Sequence, residues 1–220
     1  MTPGEKVFVS FCKANGIHLK KIHEGKGQKP DYEIFVGKQQ IMVEVKDFVL
    51  NPEEKQAYFA LEDGAIAALS SSPGDRVRSK IDKARRKFKN SREAGQPALI
   101  VLFDARPVPF NTVEPYDIKV AMHGFETLVL TVPPPGGDSP RLTGKMFGKD
   151  RKFSAQTNTY ISGIGLINKN CSGDYELHVY HNVYADFPIC ITSLRSIKKI
   201  RQYELSPNPT KGFGEWIEIK

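Results

Sequence analysis

Residues 29–48, KPDYEIFVGKQQIMVEVKDF, constrain the fold of this chain more than any other stretch. Tyr32, Ile34 and Val36 alternate with less apolar residues, Gly37-Lys38 interrupts, and Ile41, Val43 and Val45 alternate again. This period of two is the signature of two strands joined by a tight turn. Glycine at the first central position suits a two-residue type II′ loop. With Gly37 and Lys38 as that loop, Val36 faces Gln39, and counting outward pairs Ile34 with Ile41, Tyr32 with Val43 and Asp31 with Glu44. Two carboxylates then stand opposite one another, with Cβ atoms about 4.5–5.5 Å apart, where like charges repel. Lys46 lies two residues past Glu44 and shares its face. A divalent cation between the acids would turn repulsion into coordination. The plainer reading is a cross-strand salt bridge in which Lys46 neutralises both. Glu33 also falls on this face but nearer the turn, where it is expected to meet solvent, and Asp47 points to the opposite face.

At 220 residues the chain is long enough to bury a real core, and we read it as one domain. The formal charge of +7 tilts its partners toward polyanions. Three widely spaced cysteines, Cys12, Cys171 and Cys190, suggest neither a disulfide framework nor a paired-ligand zinc module. No apolar run reaches the length of a membrane span, and MTPGEK lacks the regions of a signal peptide, so no membrane partner and a reducing cytoplasm are expected.

Residues 2–15 predict a first helix, with Thr2 as cap, Pro3 in the first turn and Gly16 as stop. Phe8, Phe11 and Cys12 form its apolar stripe, and Glu5, three residues before Phe8, lies on the same stripe. Glu5 is either aimed toward the core or bonded back to Thr2 in a capping box. Residues 17–22 predict a short strand before the hairpin. After it come a helix over 51–61, a second apolar helical piece over 64–69, and a long helix from Asp75 over DRVRSKIDKARRKFKNSR. Val77, Ile81, Ala84 and Phe88 recur there at helical spacing. Between Arg76 and Arg92 stand nine Lys or Arg and one acid, Asp82, which marks a phosphate-facing surface better than an ordinary solvated face. The continuous apolar run 98–105, ALIVLFDA, predicts a central strand buried on both faces. The order helix, strand, hairpin, helix, strand describes an α/β fold with a central mixed β-sheet flanked by helices.

In the second half, 116–123 predicts a helix and 126–132 a strand. PPPGGDSPR reads as a loop, and 145–152 as a basic segment. Strands are expected over 159–167, 175–180 and 216–219, completing and decorating the sheet. His178 and His181, three apart in an alternating strand, fall on opposite faces and do not form a paired metal site. His181 and Asn182 sit where a strand end could reach a substrate.

Pro30-Asp31, followed after twelve residues by Glu44-Val45-Lys46, resembles the motif of the PD-(D/E)XK nuclease superfamily, which includes restriction endonucleases, Holliday-junction resolvases and lambda-type exonucleases. The resemblance covers residues 1–105, leaving 106–220 outside it, and rests on the placement of the motif on a hairpin between a first helix and a basic one. It implies a restriction endonuclease-like core with additional C-terminal strands, and a metal-dependent nuclease. Asp31, Glu44 and the backbone carbonyl of Val45 would then hold Mg²⁺, for which Mn²⁺ can substitute, and Lys46 would orient or deprotonate the attacking water. Glu5 matches the first-helix acid of the resolvase-like branch. Arg76, Lys80, Lys83 and Lys87 would grip the nucleic-acid backbone. Some branches carry a Gln on the helix after the Glu-x-Lys strand; here Arg and Lys take the candidate positions.

The expected activity is that of a DNA endonuclease of a bacterial or mobile-element defence, repair or recombination type. A homodimer or a separate specificity partner is compatible with the absence of a recognisable reading module. The alternatives are a nucleic-acid-binding module that keeps the fold without the chemistry, and a structural protein whose hairpin carries only a salt bridge.

Overall fold

The computed structural model describes residues 1–23, 28–137, 139–147, 150–206 and 214–219. Helix α1 spans Pro3–Ala14; the extended Thr2 caps it by accepting the Glu5 amide at 3.3 Å, and Phe8, Phe11 and Cys12 are its buried stripe. Strand β1 (His18–Lys21) pairs antiparallel with β2 (Tyr32–Val36), which turns through Gly37-Lys38 into β3 (Gln39–Phe48). Helices α2 (Pro52–Glu62) and α3 (Asp75–Ala84) follow, then a 3₁₀ turn (Arg85–Phe88), the short α4 (Lys89–Glu93) and the buried strand β4 (Ala98–Asp104). The chain continues through α5 (Pro115–His123), β5 (Glu126–Thr131), β6 (Arg141–Phe147), β7 (Gly163–Lys169), β8 (Tyr175–His181), α6 (Ile191–Arg195), β9 (Ile200–Leu205) and β10 (Trp216–Glu218).

Among the described residues eight strands form one mixed sheet in the order β1-β2-β3-β4-β7-β8-β9-β10. The pairs β3/β4, β4/β7 and β8/β9 are parallel, so the middle of the sheet needs crossover helices that cover its faces. Alternation along β3 divides the core. Ile41, Val43 and Val45 pack with Phe8, Phe11 and Cys12 of α1 on one face. Phe48 packs on the other, with Val77, Ile81 and Ala84 of α3 and Ile118, Ala121 and Met122 of α5. Strand β4 is apolar from Ala98 to Phe103 because it serves both: Leu99 and Val101 face α1, while Ala98, Ile100 and Leu102 face α3.

The basic helix is shorter than its periodicity predicts. It begins after Gly74, which has φ 76, rather than with Asp75 as cap, and it changes to 3₁₀ winding after Ala84. In that winding side chains three apart eclipse. Lys87 is thereby stacked on the same side as the buried Ala84, toward the sheet. The expected helical piece over 64–69 is irregular instead; Gly64 has φ 78 and Ile66 is fully exposed, with no element among the described residues to bury it. Strand β7 starts later than predicted because Asn158, at φ 55, and the Ser154–Thr157 bridge hold the preceding residues in turns. Patterning assigns no element to residues 181–215, yet α6 and β9 lie there. Strand β6 pairs with β5 as a separate two-stranded sheet and takes in the start of the segment read as a basic tract, whose residues 148 and 149 lie outside the described residues. At the end of that tract, Lys152 pairs with Asp82 of α3 at 2.6 Å.

Candidate active site

The β2–β3 ladder has the register expected from turn counting: Val36 opposite Gln39, Ile34 opposite Ile41 and Tyr32 opposite Val43. Gly37 has φ 59 while Lys38 stays at negative φ, as a type II′ loop requires. Asp31 stands immediately before the ladder. Its amide donates to the Val43 carbonyl at 3.0 Å, and its carboxylate Oδ2 accepts the Val45 amide at 2.9 Å. Asp31 is thus fastened across the hairpin beside Glu44.

Glu44 projects from the middle of β3 onto the α3 face and is 0% exposed. The Nζ of Lys46 lies 2.5 Å from its Oε1, and the Nζ of Lys87 lies 2.7 Å from the same oxygen. Both ammoniums approach as ion pairs without hydrogen-bond alignment, and Oε2 is buried with no donor. Burial pushes the Glu44 carboxyl up to about 7; the two lysines oppose that rise and the Asp31 charge adds to it. Lys87 also reaches Asp31, with Nζ 3.1 Å from Oδ1. Burial disfavours its ammonium, but the carboxylates of Glu44 and Asp31 outweigh this and hold it above the ordinary lysine value.

The other acids of the hairpin go elsewhere. Glu33 does not meet solvent: its side chain is largely buried and pairs with Lys20 at 3.4 Å. Asp47 lies on the α1 face, as alternation predicts, and accepts the Gly4 amide at 3.0 Å. A Cβ on Gly4 would fall 2.0 Å from the Asp47 carboxylate, so only glycine allows this approach. Glu5 is capped at its amide by Thr2, while its carboxylate accepts from the Tyr32 hydroxyl at 3.1 Å. Tyr32 is buried on the α1 face, and burial followed by the Glu5 charge raises its hydroxyl pKa. Among the described residues no group of three or more His, Cys, Asp or Glu could hold a metal, so Glu5 does not join Asp31 and Glu44.

The basic wall is also reapportioned. Arg76 is committed to Glu54 and to the Val49 carbonyl, and it lies 5.9 Å from the centre of the Phe48 ring. Lys80 is half-buried with its ammonium 5.4 Å from that centre; burial, then repulsion from Lys83, Arg76 and Lys46, lowers its pKa. Lys83 is exposed and has no acid within ion-pair reach among the described residues. Asp104 and Glu54 share Arg106, with contacts of 2.7 and 2.9 Å, in a buried network that no spacing in the sequence announces. A cleft of about 620 Å³ beside it is lined by Arg76 and Arg106, and not by Asp31, Glu44 or Lys46. His181 and Asn182 are buried structural groups: the His181 ring meets Gln202 at 3.0 Å and the Asn182 amide donates to the Ile161 carbonyl at 2.8 Å.

What the arrangement offers chemically is two carboxylates converging on one cation, a second ammonium on the same strand, and a lysine-bearing helix alongside. No helix of the described residues is long and apolar enough to cross a membrane. Comparison with protein-family models, with curated proteins and with solved structures returns no match.

Proposed function

We propose that the chain is a Mg²⁺-dependent nuclease with a restriction endonuclease-like core, acting on DNA as an endonuclease. The observation that carries this reading is the Glu44 carboxylate, fully buried with Oε2 left without a donor beside the carboxylate of Asp31. A buried carboxylate is costly unless fully paired, and a salt bridge built for stability alone has no reason to leave one oxygen orphaned. The donors suit a hard cation: both are carboxylates, and one oxygen of each already lies within 3.1 Å of a single ammonium.

Asp31 and Glu44 would hold Mg²⁺ or Mn²⁺, with the Val45 carbonyl between the motif residues as a further oxygen. When bound, the ion supplies polarisation of the phosphoryl group and acidification of a water. Lys46, on the same face and within ion-pair reach of Glu44, orients the attacking water or takes its proton. Lys80 and Lys83 bind backbone phosphates beside the site. Arg76 keeps the wall attached to α2 through Glu54, a positioning part more than a phosphate contact. The order of α1, β1, the hairpin, α3 and the parallel β4 supports the restriction endonuclease-like assignment.

Purified protein incubated with single-stranded, duplex, branched and modified DNA and with RNA, in Mg²⁺ and in Mn²⁺, is expected to cut at least one DNA. Asp31→Ala, Glu44→Ala and Lys46→Ala should abolish cutting while binding survives. No cleavage of any substrate with either metal would overturn the proposal. A second reading, a non-catalytic nucleic-acid-binding module, is favoured by the lysine ammoniums already seated on one oxygen of each carboxylate. It requires salt-sensitive DNA binding with no calorimetric uptake of either ion.

A further inference from the structure

We infer that Lys87 is a resident counter-cation of the carboxylate pair, which a divalent ion must displace to bind. The inference rests on the nuclease reading of the same site. Among the described residues Lys87 is the one base whose ammonium touches both acids, 3.1 Å from Asp31 Oδ1 and 2.7 Å from Glu44 Oε1. Lys46 touches Glu44 alone.

The charges explain why one ammonium has to leave. With both acids ionised, two carboxylates and two ammoniums sum to zero around a fully buried Glu44. A divalent ion added to that set would put two uncompensated positive charges into a poorly hydrated site, and like charges that close repel strongly. Lys46 is held by its own strand, two residues beyond Glu44 on the same face. Lys87 instead arrives from the 3₁₀ turn after α3 on a flexible four-carbon stem, and its side chain is 27% exposed, which leaves a way out to solvent. The oxygens that bind its ammonium are the ones a Mg²⁺ would need at about 2.0–2.1 Å. Ion and ammonium therefore compete for the same two atoms. In the absence of metal, Lys87 keeps Asp31 and Glu44 from repelling each other, so the hairpin forms before an ion arrives.

The test is calorimetric titration of Mn²⁺ and of Mg²⁺, without nucleic acid, into the wild-type chain and into Lys87→Met, with Lys13→Met, an exposed lysine of α1 on the other face of the sheet, as control. Lys87→Met is expected to bind Mn²⁺ at least about ten-fold more tightly than wild type, since the competing charge is gone, and Lys13→Met to bind as wild type does. Lys87→Gln, which keeps a polar end, repeats the measurement should the methionine variant fold poorly. Binding by the Lys87 variants that is equal to wild type or weaker overturns the inference and leaves the metal-dependent reading intact. No uptake by wild type or any variant overturns both. In EDTA the Lys87 variants should melt below wild type, and saturating Mn²⁺ should remove most of that difference; a deficit that Mn²⁺ leaves unchanged counts against displacement.

Discussion

The Val45 amide donates to Oδ2 of Asp31 at 2.9 Å, so the residue between Glu44 and Lys46 is tied to the acid on the neighbouring strand. One hydrogen bond thereby sets the position of Asp31 relative to both motif residues of β3. Asp31→Ala should remove this bond and leave the Val45 amide and one charge of the Lys87 cluster uncompensated. We expect a stability loss of about 1–3 kcal/mol in urea unfolding, together with loss of cleavage. Asp31→Asn, which keeps an oxygen for the amide, should recover much of the stability and none of the cleavage. Equal stability of the two variants would show that the bond to Val45 contributes little.

The buried Glu44 carboxyl makes stability depend on pH in a defined direction. Its pKa in the folded chain is raised from an ordinary 4.5 to about 7. Between those values the native state holds a proton that the unfolded state has released, so stability from this group is greatest below about 4.5 and declines as pH rises through about 7. In EDTA, Glu44→Gln should gain on wild type by on the order of 2–3 kcal/mol between pH 5 and pH 8. Urea unfolding at the two pH values measures it; a difference between the chains that does not change with pH is the contrary result.

Asp47 anchors α1 rather than the chemistry. Asp47→Ala leaves the Gly4 amide at the helix start without its partner, and we expect a loss of about 1 kcal/mol with metal binding unchanged. Gly4→Ala should break the same contact, because its Cβ would fall 2.0 Å from the Asp47 carboxylate and push it off the Gly4 amide. Thermal melts with calorimetric metal titration separate the two effects; a change of metal affinity in Asp47→Ala would place Asp47 in the site.

Lys46 and Lys83 should fail differently. Lys46→Met is expected to stop cleavage with duplex affinity nearly unchanged. Lys83→Met should weaken duplex binding evenly across sequences and reduce the slope of log affinity against log salt by about 1. Anisotropy titrations at several salt concentrations, alongside cleavage rates, distinguish them. An unaltered salt slope in Lys83→Met would remove Lys83 from the phosphate contacts.

The α/β class, the central strand β4 and helix α1 with its Thr2 cap were legible because each is written in local periodicity and end signals. The later elements α6, β6 and β9 were not. The six residues of β9 lack a clean alternation, and β6 carries charge and a glycine through a strand supported only by its partner β5. Glu33 shows the same limit. Its position near the turn suggests exposure, but pairing of β1 against β2 brings Lys20 to it and covers it.

The sequence by itself determined the hairpin register and the facing of Asp31 and Glu44, because period-two alternation interrupted by a glycine-led two-residue loop admits one pairing that keeps the apolar set on one face. Only the tertiary structure decided which groups meet those acids. Lys87 and Lys83 look alike in a helical repeat, yet the 3₁₀ winding of Arg85–Phe88 turns one to the carboxylates while the other stays in solvent. Glu5 looks like a third acid, yet the packing of α1 sets it against the Tyr32 hydroxyl. Such partners depend on how helices seat on opposite faces of the sheet, a relation between residues far apart in the chain that no local spacing encodes.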